Sequence, residues 1–320
     1  MAVFTEVSDE ALVAFIAQYD IGEILSAKGI AEGVENSNYL LRTKEDSFIL
    51  TLYENRVDPT DLPFFLTLKE HLAAKGIGCP VPIRARDGEV LHELSNRPAA
   101  IFTFLPGMWP RRIQPYHCGE LGQALARMHL AGNNFILRRA NNLSVQSWRP
   151  LLNRSADRAD EVQQGLAENL EMELAVLELN WPDTLPSGVI HADLFPDNVF
   201  FRGPELTGLI DFYFACNDMF AYDIAICMNA WCFERDGSFN VTKAKSLLIA
   251  YRMVRVLSDD ELAALPVLAR GAAVRFMLTR LYDWLYTPAG ALVVKKDPLE
   301  FWAQLRFHQR VTGPKDYGLA

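Results

Sequence analysis

The sequence predicts an α+β fold in two lobes, a small β-rich lobe over residues 1–105 and a larger, mostly helical lobe over 106–320. Three observations carry this. Short β-prone runs separated by turn residues are confined to the first hundred residues, Pro106-Gly107 marks an exit from that region, and helical periodicity dominates the rest of the chain. At 320 residues the chain is about two domains long, taking ~150 residues per domain. Half of its residues are hydrophobic and 22% are charged, enough to bury a core, which excludes disordered, collagen-like and coiled-coil classes.

Each element is justified by local pattern. Ser8 is an N-cap before an apolar-periodic stretch from Ala11 to Tyr19. Ser37–Arg42 and Ser47–Tyr53 are β-prone runs separated by Thr-Lys-Glu-Asp, a hairpin. Leu62–Lys75 is helical and stops at Gly76. Val90–Leu94 and Ala99–Leu105 are again strand-like, split by the turn Ser95-Asn96-Arg97-Pro98. In the second lobe Cys118–His129 and Leu166–Leu179 have helical spacing. Ser258 and Glu261 form a capping box that opens a short helix ending before Pro266, with a longer one beyond it to about Trp284. Between these lie two compact β-like pieces, Val189–His191 and Gly208–Phe212.

Lys plus Arg is 31 against 40 for Asp plus Glu, a net charge of −9 that offers no general attraction to nucleic acid or an anionic membrane surface. A small-molecule substrate is the expected partner. The five cysteines have no zinc-ligand spacing and read as buried thiols in a reducing compartment. The N-terminus is acidic where a signal peptide is basic, and no apolar run approaches the ~18 residues of a spanning helix, so a cytoplasmic address is expected.

The informative stretch is His191-Ala-Asp-Leu-Phe-Pro-Asp-Asn198, with Leu209-Ile-Asp-Phe212 after it. Phosphoryl transfer from ATP needs a carboxylate to orient the acceptor hydroxyl and hard oxygen ligands for Mg²⁺ on the phosphates. Asp193 fits the first task, Asn198 and Asp211 the second. The spacing His-x-Asp-x-x-x-x-Asn is that of the protein-kinase catalytic loop, with Ala192 where that loop has arginine.

On these residues the chain resembles the aminoglycoside phosphotransferase and choline kinase group of protein-kinase-like small-molecule kinases, over nearly its whole length. Leu121–His129 is similar to the group's helix before the catalytic loop, and Asp218–Ala225 to its Asp-Leu-Ala segment. The resemblance implies that Asp223 braces the catalytic loop and that His191 supports it from behind. It also implies an interlobe hinge at Ile101–Leu105, with the Thr103 carbonyl and the Leu105 amide receiving adenine. Gly33–Tyr39, Phe48–Glu54 and Arg275–Trp284 resemble the branch of the group whose acceptor is L-homoserine. That branch implies O-phosphohomoserine as product, on the way to threonine. Choline, ethanolamine, methylthioribose or an aminoglycoside are the alternative acceptors, and a catalytically weak nucleotide-binding module is the alternative class.

The chain departs from the group's pattern in two places. The group's phosphate-gripping lysine on the third strand falls at Thr51, and no glutamate partner stands near Phe64 and Phe65, which leaves Lys28 and Arg56 as replacement cations. The loop Lys28–Asn38 lacks the glycine-rich spacing, so phosphate contacts there would come from backbone amides at Glu35, Asn36 and Ser37. Homoserine also needs a cation for its carboxylate. Arg275 is expected to supply it ahead of Arg280, because Arg275 lies at the edge of the stripe Val274, Leu278, Leu281 and Leu285, where it can border a cleft. Arg270 projects near the stripe itself, as a structural ion pair would.

Overall fold

The computed structural model describes residues 5–30, 36–54, 57–288 and 295–319. By internal contacts the chain divides into two units, 1–106 with 208–213 and 107–207 with 214–320.

The first unit is an antiparallel sheet with one helix on either face. Helix α1 (Asp9–Ile16) is capped by Ser8, whose Oγ accepts from the Ala11 amide at 3.2 Å. Strands β1 (Ile24–Gly29), β2 (Asn36–Thr43) and β3 (Ser47–Tyr53) precede α2 (Leu62–Ala74), and β4 (His92–Leu94) and β5 (Arg97–Thr103) come after it. The sheet order is β1-β2-β3-β5-β4. Alternation along a strand sends Leu50, Leu52, Ala99 and Ile101 into a core with Leu12, Phe15 and Ile16 of α1. The opposite face, carrying Ile49, Thr51, Tyr53, Ala100 and Phe102, is the α2 side. The segment 208–213 joins this unit because Gly208 lets its backbone approach Gly78, where an added Cβ would lie 2.6 Å from the carbonyl oxygen. The Leu209 amide donates to that same oxygen at 2.9 Å.

The turn between β4 and β5 is tighter than its four polar residues suggest. Leu94 pairs with Arg97, and Ser95 and Asn96 alone make the turn, at φ 52° and 58°. Two consecutive left-handed residues match the twist of a hairpin, so Arg97 and Pro98 are released into β5. Strand β1 differs from the sequence reading, which has a loop beginning at Lys28. An exposed edge strand carries almost no alternation to read.

The second unit is built of α3 (Pro115–Ala131), α4 (Val145–Asn153), α5 (Leu166–Asn180), α6 (Phe220–Trp231), α7 (Val241–Val254), α8 (Asp259–Tyr286) and α9 (Leu299–His308). Two small sheets accompany them, β6 (Ser187–Ile190) with β9 (Cys216–Met219) and β7 (Val199–Arg202) with β8 (Glu205–Leu209). Helices α3 and α7 touch backbone to backbone at Gly122, where an added Cβ would sit 2.2 Å from the Leu247 carbonyl oxygen. Helix α8 is the core helix, burying Leu265, Leu268, Ala272, Val274, Met277 and Leu281 among Trp148, Leu170, Tyr222 and Phe301.

Helix α8 is also where local reasoning fails most clearly. The Ser258–Glu261 capping box is present, but the helix runs unbroken through Pro266 for 28 residues. A mid-helix proline costs about 3 kcal/mol. Burial of Leu265, Leu268 and Ala269 beside it offsets that, at about 1.5–3 kcal/mol for each large apolar side chain. By length and composition α8 could span a membrane, contrary to the expectation that no run approaches that length. Yet 61% of its apolar window is buried inside the protein.

Candidate active site

The loop His191–Asn198 leaves β6 and returns into β7, and its backbone is held from two helices. Asp223 at the start of α6 accepts from the His191 amide at 2.7 Å and the Ala192 amide at 2.9 Å. Trp231 at the end of α6 donates its indole N–H to the Leu194 carbonyl at 2.8 Å. Arg275 of α8 donates through Nη1 to the Ala192 carbonyl. Ala192 is thereby kept at φ 63°, a left-handed conformation costing a non-glycine residue about 1–2 kcal/mol. The turn so formed presents Asp193 next. Asn198 closes the loop, donating from Nδ2 to the Asp193 carbonyl at 2.8 Å and to its carboxylate at 3.3 Å. His191 accepts at Nδ1 from the Asp193 amide at 3.3 Å.

Asp223 is fully buried and is itself supported. His129 of α3 reaches its Oδ2 through Nε2 at 3.1 Å, and the other ring nitrogen meets the Tyr251 hydroxyl of α7 at 2.8 Å. Burial alone would raise the Asp223 carboxyl. The His129 hydrogen bond and the loop amides outweigh it and hold the group below its usual value. Burial pushes His129 down, so its neutral ring donates to Asp223 and accepts from Tyr251.

Asp211 belongs to the first unit, at φ 63° just past β8. Thr103 ends β5, its hydroxyl accepting from the Val81 amide at 2.9 Å, and the Leu105 side chain packs by the Gly208 backbone. Asn36 and Ser37 open β2 and are buried. Their side chains tie β2 to the end of β3, Asn36 Oδ1 accepting from the Glu54 amide at 3.3 Å and Ser37 donating to Glu54 Oε1 at 2.6 Å. Glu35 and Arg56 lie outside the described residues, and Lys28 is exposed on β1.

The three arginines of α8 separate cleanly. Arg270 is bound by Glu173 at 2.7 and 2.9 Å, the structural pair expected of it. Arg280 pairs with Glu300 at 2.5 Å and lies 4.4 Å over Phe301. Arg275 is not at a cleft edge, as its place beside the apolar stripe suggests, but 1% exposed in the interior. Its neighbours Ala272, Ala273, Val274, Phe276 and Met277 are all buried, so the helix has no single apolar stripe and no edge for Arg275 to occupy. Among the described residues no carboxylate lies within 4.0 Å of its guanidinium, and Nε has no partner. Aromatic faces surround it, Phe276 at 4.3 Å and Phe214 at 5.5 Å. Nearby, burial pushes the Tyr222 phenol up against the pull of the Arg275 charge.

Two groups escape the sequence reading. Trp231 carries no local signal for its indole contact. Lys69 does, because it stands in the buried stripe Leu62, Phe65, Leu66, Lys69, Leu72 of α2 at helical spacing. It is 4% exposed, with Nζ 4.3 Å over the Phe102 ring and 4.7 Å from that of Tyr213. Burial lowers its pKa to about 8, and the Asp211 carboxylate pulls the other way.

Two side chains, one in each unit, carry oxygens of the hard kind that Mg²⁺ prefers. Asn198 spends its amide nitrogen on Asp193, which leaves its oxygen, and Asp211 offers a carboxylate. Among the described residues no group of three or more His, Cys, Asp or Glu could hold a metal by itself. Mg²⁺ bound through one or two protein ligands and substrate phosphates needs none.

The model of a phosphotransferase enzyme family matches residues 26–257. The chain is 62% identical to a homoserine kinase of Paramagnetospirillum magneticum over 325 residues, covering 100% of both. It is 64% identical over 320 residues to one of Bradyrhizobium diazoefficiens, covering 100% of this chain and 98% of that one. Among solved structures it is similar to an amicoumacin kinase in complex with AMP-PNP and Ca²⁺, with a TM-score of 0.69, 16% identity and coverage of 94% and 92%.

Proposed function

The chain belongs to the phosphotransferase enzyme family and phosphorylates L-homoserine with ATP, and we propose that Asp193, Asn198, Asp211 and Arg275 carry this transfer. The homoserine hydroxyl oxygen forms a bond to the γ-phosphorus, the bond from that phosphorus to ADP breaks, and O-phospho-L-homoserine results. Asp193 orients the hydroxyl and accepts its proton. The observation that carries this assignment is the bracing around it: four backbone hydrogen bonds from Asp223, Trp231 and Arg275 keep Ala192 left-handed and leave Asp193 little freedom. His191 and Asp223 act through that backbone and touch no substrate.

Asn198 and Asp211 each offer an oxygen to Mg²⁺. A bound Mg²⁺ supplies charge neutralisation on the phosphate oxygens. Adenine is received by the Thr103 carbonyl and the Leu105 amide, which any side chain at those positions could supply. Backbone amides at Asn36 and Ser37, at the start of β2, receive phosphate.

Arg275 receives the homoserine carboxylate. Among the described residues this buried guanidinium has no carboxylate within 4.0 Å, the charge of Asp218 reaching it only from farther off, and an anionic substrate balances it through a two-pronged hydrogen bond. Arg280, paired with the exposed Glu300, is the second choice because that pair can open to solvent. The five cysteines are buried free thiols, which suits the cytoplasm. ADP release measured with L-homoserine, choline, ethanolamine and an aminoglycoside tests the acceptor. Asp193→Asn should reduce the homoserine-dependent rate by about 10²–10⁴-fold while the KM for ATP stays within a few-fold. Near-normal turnover in that variant removes Asp193 from the chemistry.

A further inference from the structure

Thr51 stands on β3 where the resembling kinases carry a phosphate-gripping lysine. Its neighbours leave it no such role, since it is 3% exposed and donates from Oγ1 to Asn38 Oδ1 at 2.7 Å, directly across the β2–β3 pair. The same sheet face holds another cation. Thr51 pairs with Ala100 on β5, so Phe102, two residues along β5, is its diagonal neighbour on that face. The Lys69 ammonium lies 4.3 Å from the centre of the Phe102 ring, descending from α2 rather than rising from β3. Its other wall is Tyr213, two residues past Asp211. Phe102 is likewise one residue before Thr103, at the adenine end. A charge between the hinge strand and the metal-binding aspartate stands where the phosphates of a nucleotide held at both points must pass.

Sinking an ammonium to 4% exposure is costly unless something anionic meets it. The faces of Phe102 and Tyr213 and the charge of the Asp211 carboxylate offset part of that cost, yet burial still outweighs them and holds the ammonium below its ordinary pKa. The position is also closed to a second cation, because a lysine at residue 51 would direct its charge at the same face and repel Lys69. That accounts for both departures together. The residue on α2 is the cation itself, so no glutamate is needed there to pair with a β3 lysine, and Glu70 of α2 pairs instead with Arg84 at 2.6 Å.

We propose that Lys69, supplied by helix α2, is the residue that grips the α- and β-phosphates of ATP in this chain, in place of a lysine at position 51. The proposal rests on the reading that the chain is an ATP-dependent kinase. It removes the need for Lys28, which is exposed on the edge strand.

The test is Lys69→Met and Lys69→Gln, which remove the charge at nearly constant volume, together with the double variant Thr51→Lys/Lys69→Met. Calorimetry with Mg·ADP and with adenosine separates phosphate binding from adenine binding, and thermal melting reports folding. Loss of a hydrogen bond to a charged group should weaken Mg·ADP on the order of 10- to 100-fold, with adenosine binding and the KM for homoserine within about twofold. The double variant should recover most of the Mg·ADP affinity, a result that a merely structural lysine does not give. Unchanged Mg·ADP affinity in either folded single variant overturns the proposal. So does loss of folding in both, which would make Lys69 structural. Homoserine-dependent ADP release by the unaltered enzyme stands or falls independently of these variants, so failure of the kinase reading is distinguishable.

Discussion

Replacing Arg275 with methionine separates substrate binding from loop bracing. The substitution removes a 1%-exposed guanidinium that has no carboxylate within 4.0 Å among the described residues. It also removes one charged hydrogen bond to the Ala192 carbonyl and contacts with Phe276 and Phe214. The hydrogen bond contributes about 1.5–3 kcal/mol and the ring contacts about 2 kcal/mol. Relief from burying an unbalanced charge, several kcal/mol, works in the opposite direction. The net change in stability is therefore small, and the melting temperature should move by only a few degrees. Binding is a different matter. Cutting one partner from a buried, hydrogen-bonded charge pair costs about 2–5 kcal/mol, equivalent to a rise of roughly 30- to several-thousand-fold in the KM for homoserine. The KM for ATP should stay within about threefold. Arg275→Lys should recover only part of the loss, since a point charge cannot reproduce the planar fork. The assay is ADP release at saturating ATP with homoserine varied, beside a melting curve for each variant. A fall in kcat with an unchanged KM for homoserine would refute the reasoning. Arg275 would then act only as a brace on Ala192, and the carboxylate would pass to Arg280.

Asn198→Ala and Asp211→Ala should each raise the Mg²⁺ concentration needed for half-maximal rate by an order of magnitude or more. A magnesium titration of folded variants checks this, and an unchanged midpoint removes the residue as a ligand. A third expectation concerns acid stability. His308 is buried between the Tyr317 hydroxyl at 2.8 Å and Asn229 Oδ1 at 3.2 Å, and burial lowers its pKa to about 3. The folded chain keeps this ring neutral while the unfolded chain protonates it near pH 6.5, so its contribution is complete above that pH and is lost as the pH falls towards 3. Urea midpoints between pH 7 and 5 should show a slope that His308→Gln flattens by about one proton, ~1.4 kcal/mol per pH unit. An identical slope in the variant would exclude His308 as a source.

The elements read best are those whose ends and faces are written locally. Ser8 and the Ser258–Glu261 box cap their helices as their spacing requires, and the β2–β3 hairpin turns at Thr43–Ser47, where the polar residues stand. Helices α4, α6, α7 and α9 and strand β1 were not legible. Helix α6 is buried on nearly every side and β1 has no buried residue, so neither shows a clear face. For the same reason the local pattern splits α8 at Pro266 and places Arg275 at a stripe edge, whereas the helix is continuous and buried around Arg275. Packing against α4, α5, α6 and α9 buries the helix on several sides, and the Ala192 carbonyl and the Phe214 ring, both from loops, receive the arginine inside it.

The spacing of His191, Asp193 and Asn198, with Asp211 beyond them, pointed to the reaction type together with the two-lobe pattern, because it sets a carboxylate for the hydroxyl and two hard oxygen donors in the order of the protein-kinase catalytic loop. Which cation meets the phosphates could not be read the same way. Lys69 is 18 residues from Thr51 and 33 from Phe102, as their numbers give, and nothing local links the three. Strand pairing and the packing of α2 bring its ammonium over the ring of Phe102. A side chain's chemistry is a property of its own residue and can be read along the chain. Its surroundings, which decide whether a charge is solvated, paired or waiting for a ligand, are made by residues far away and exist only once the chain has folded.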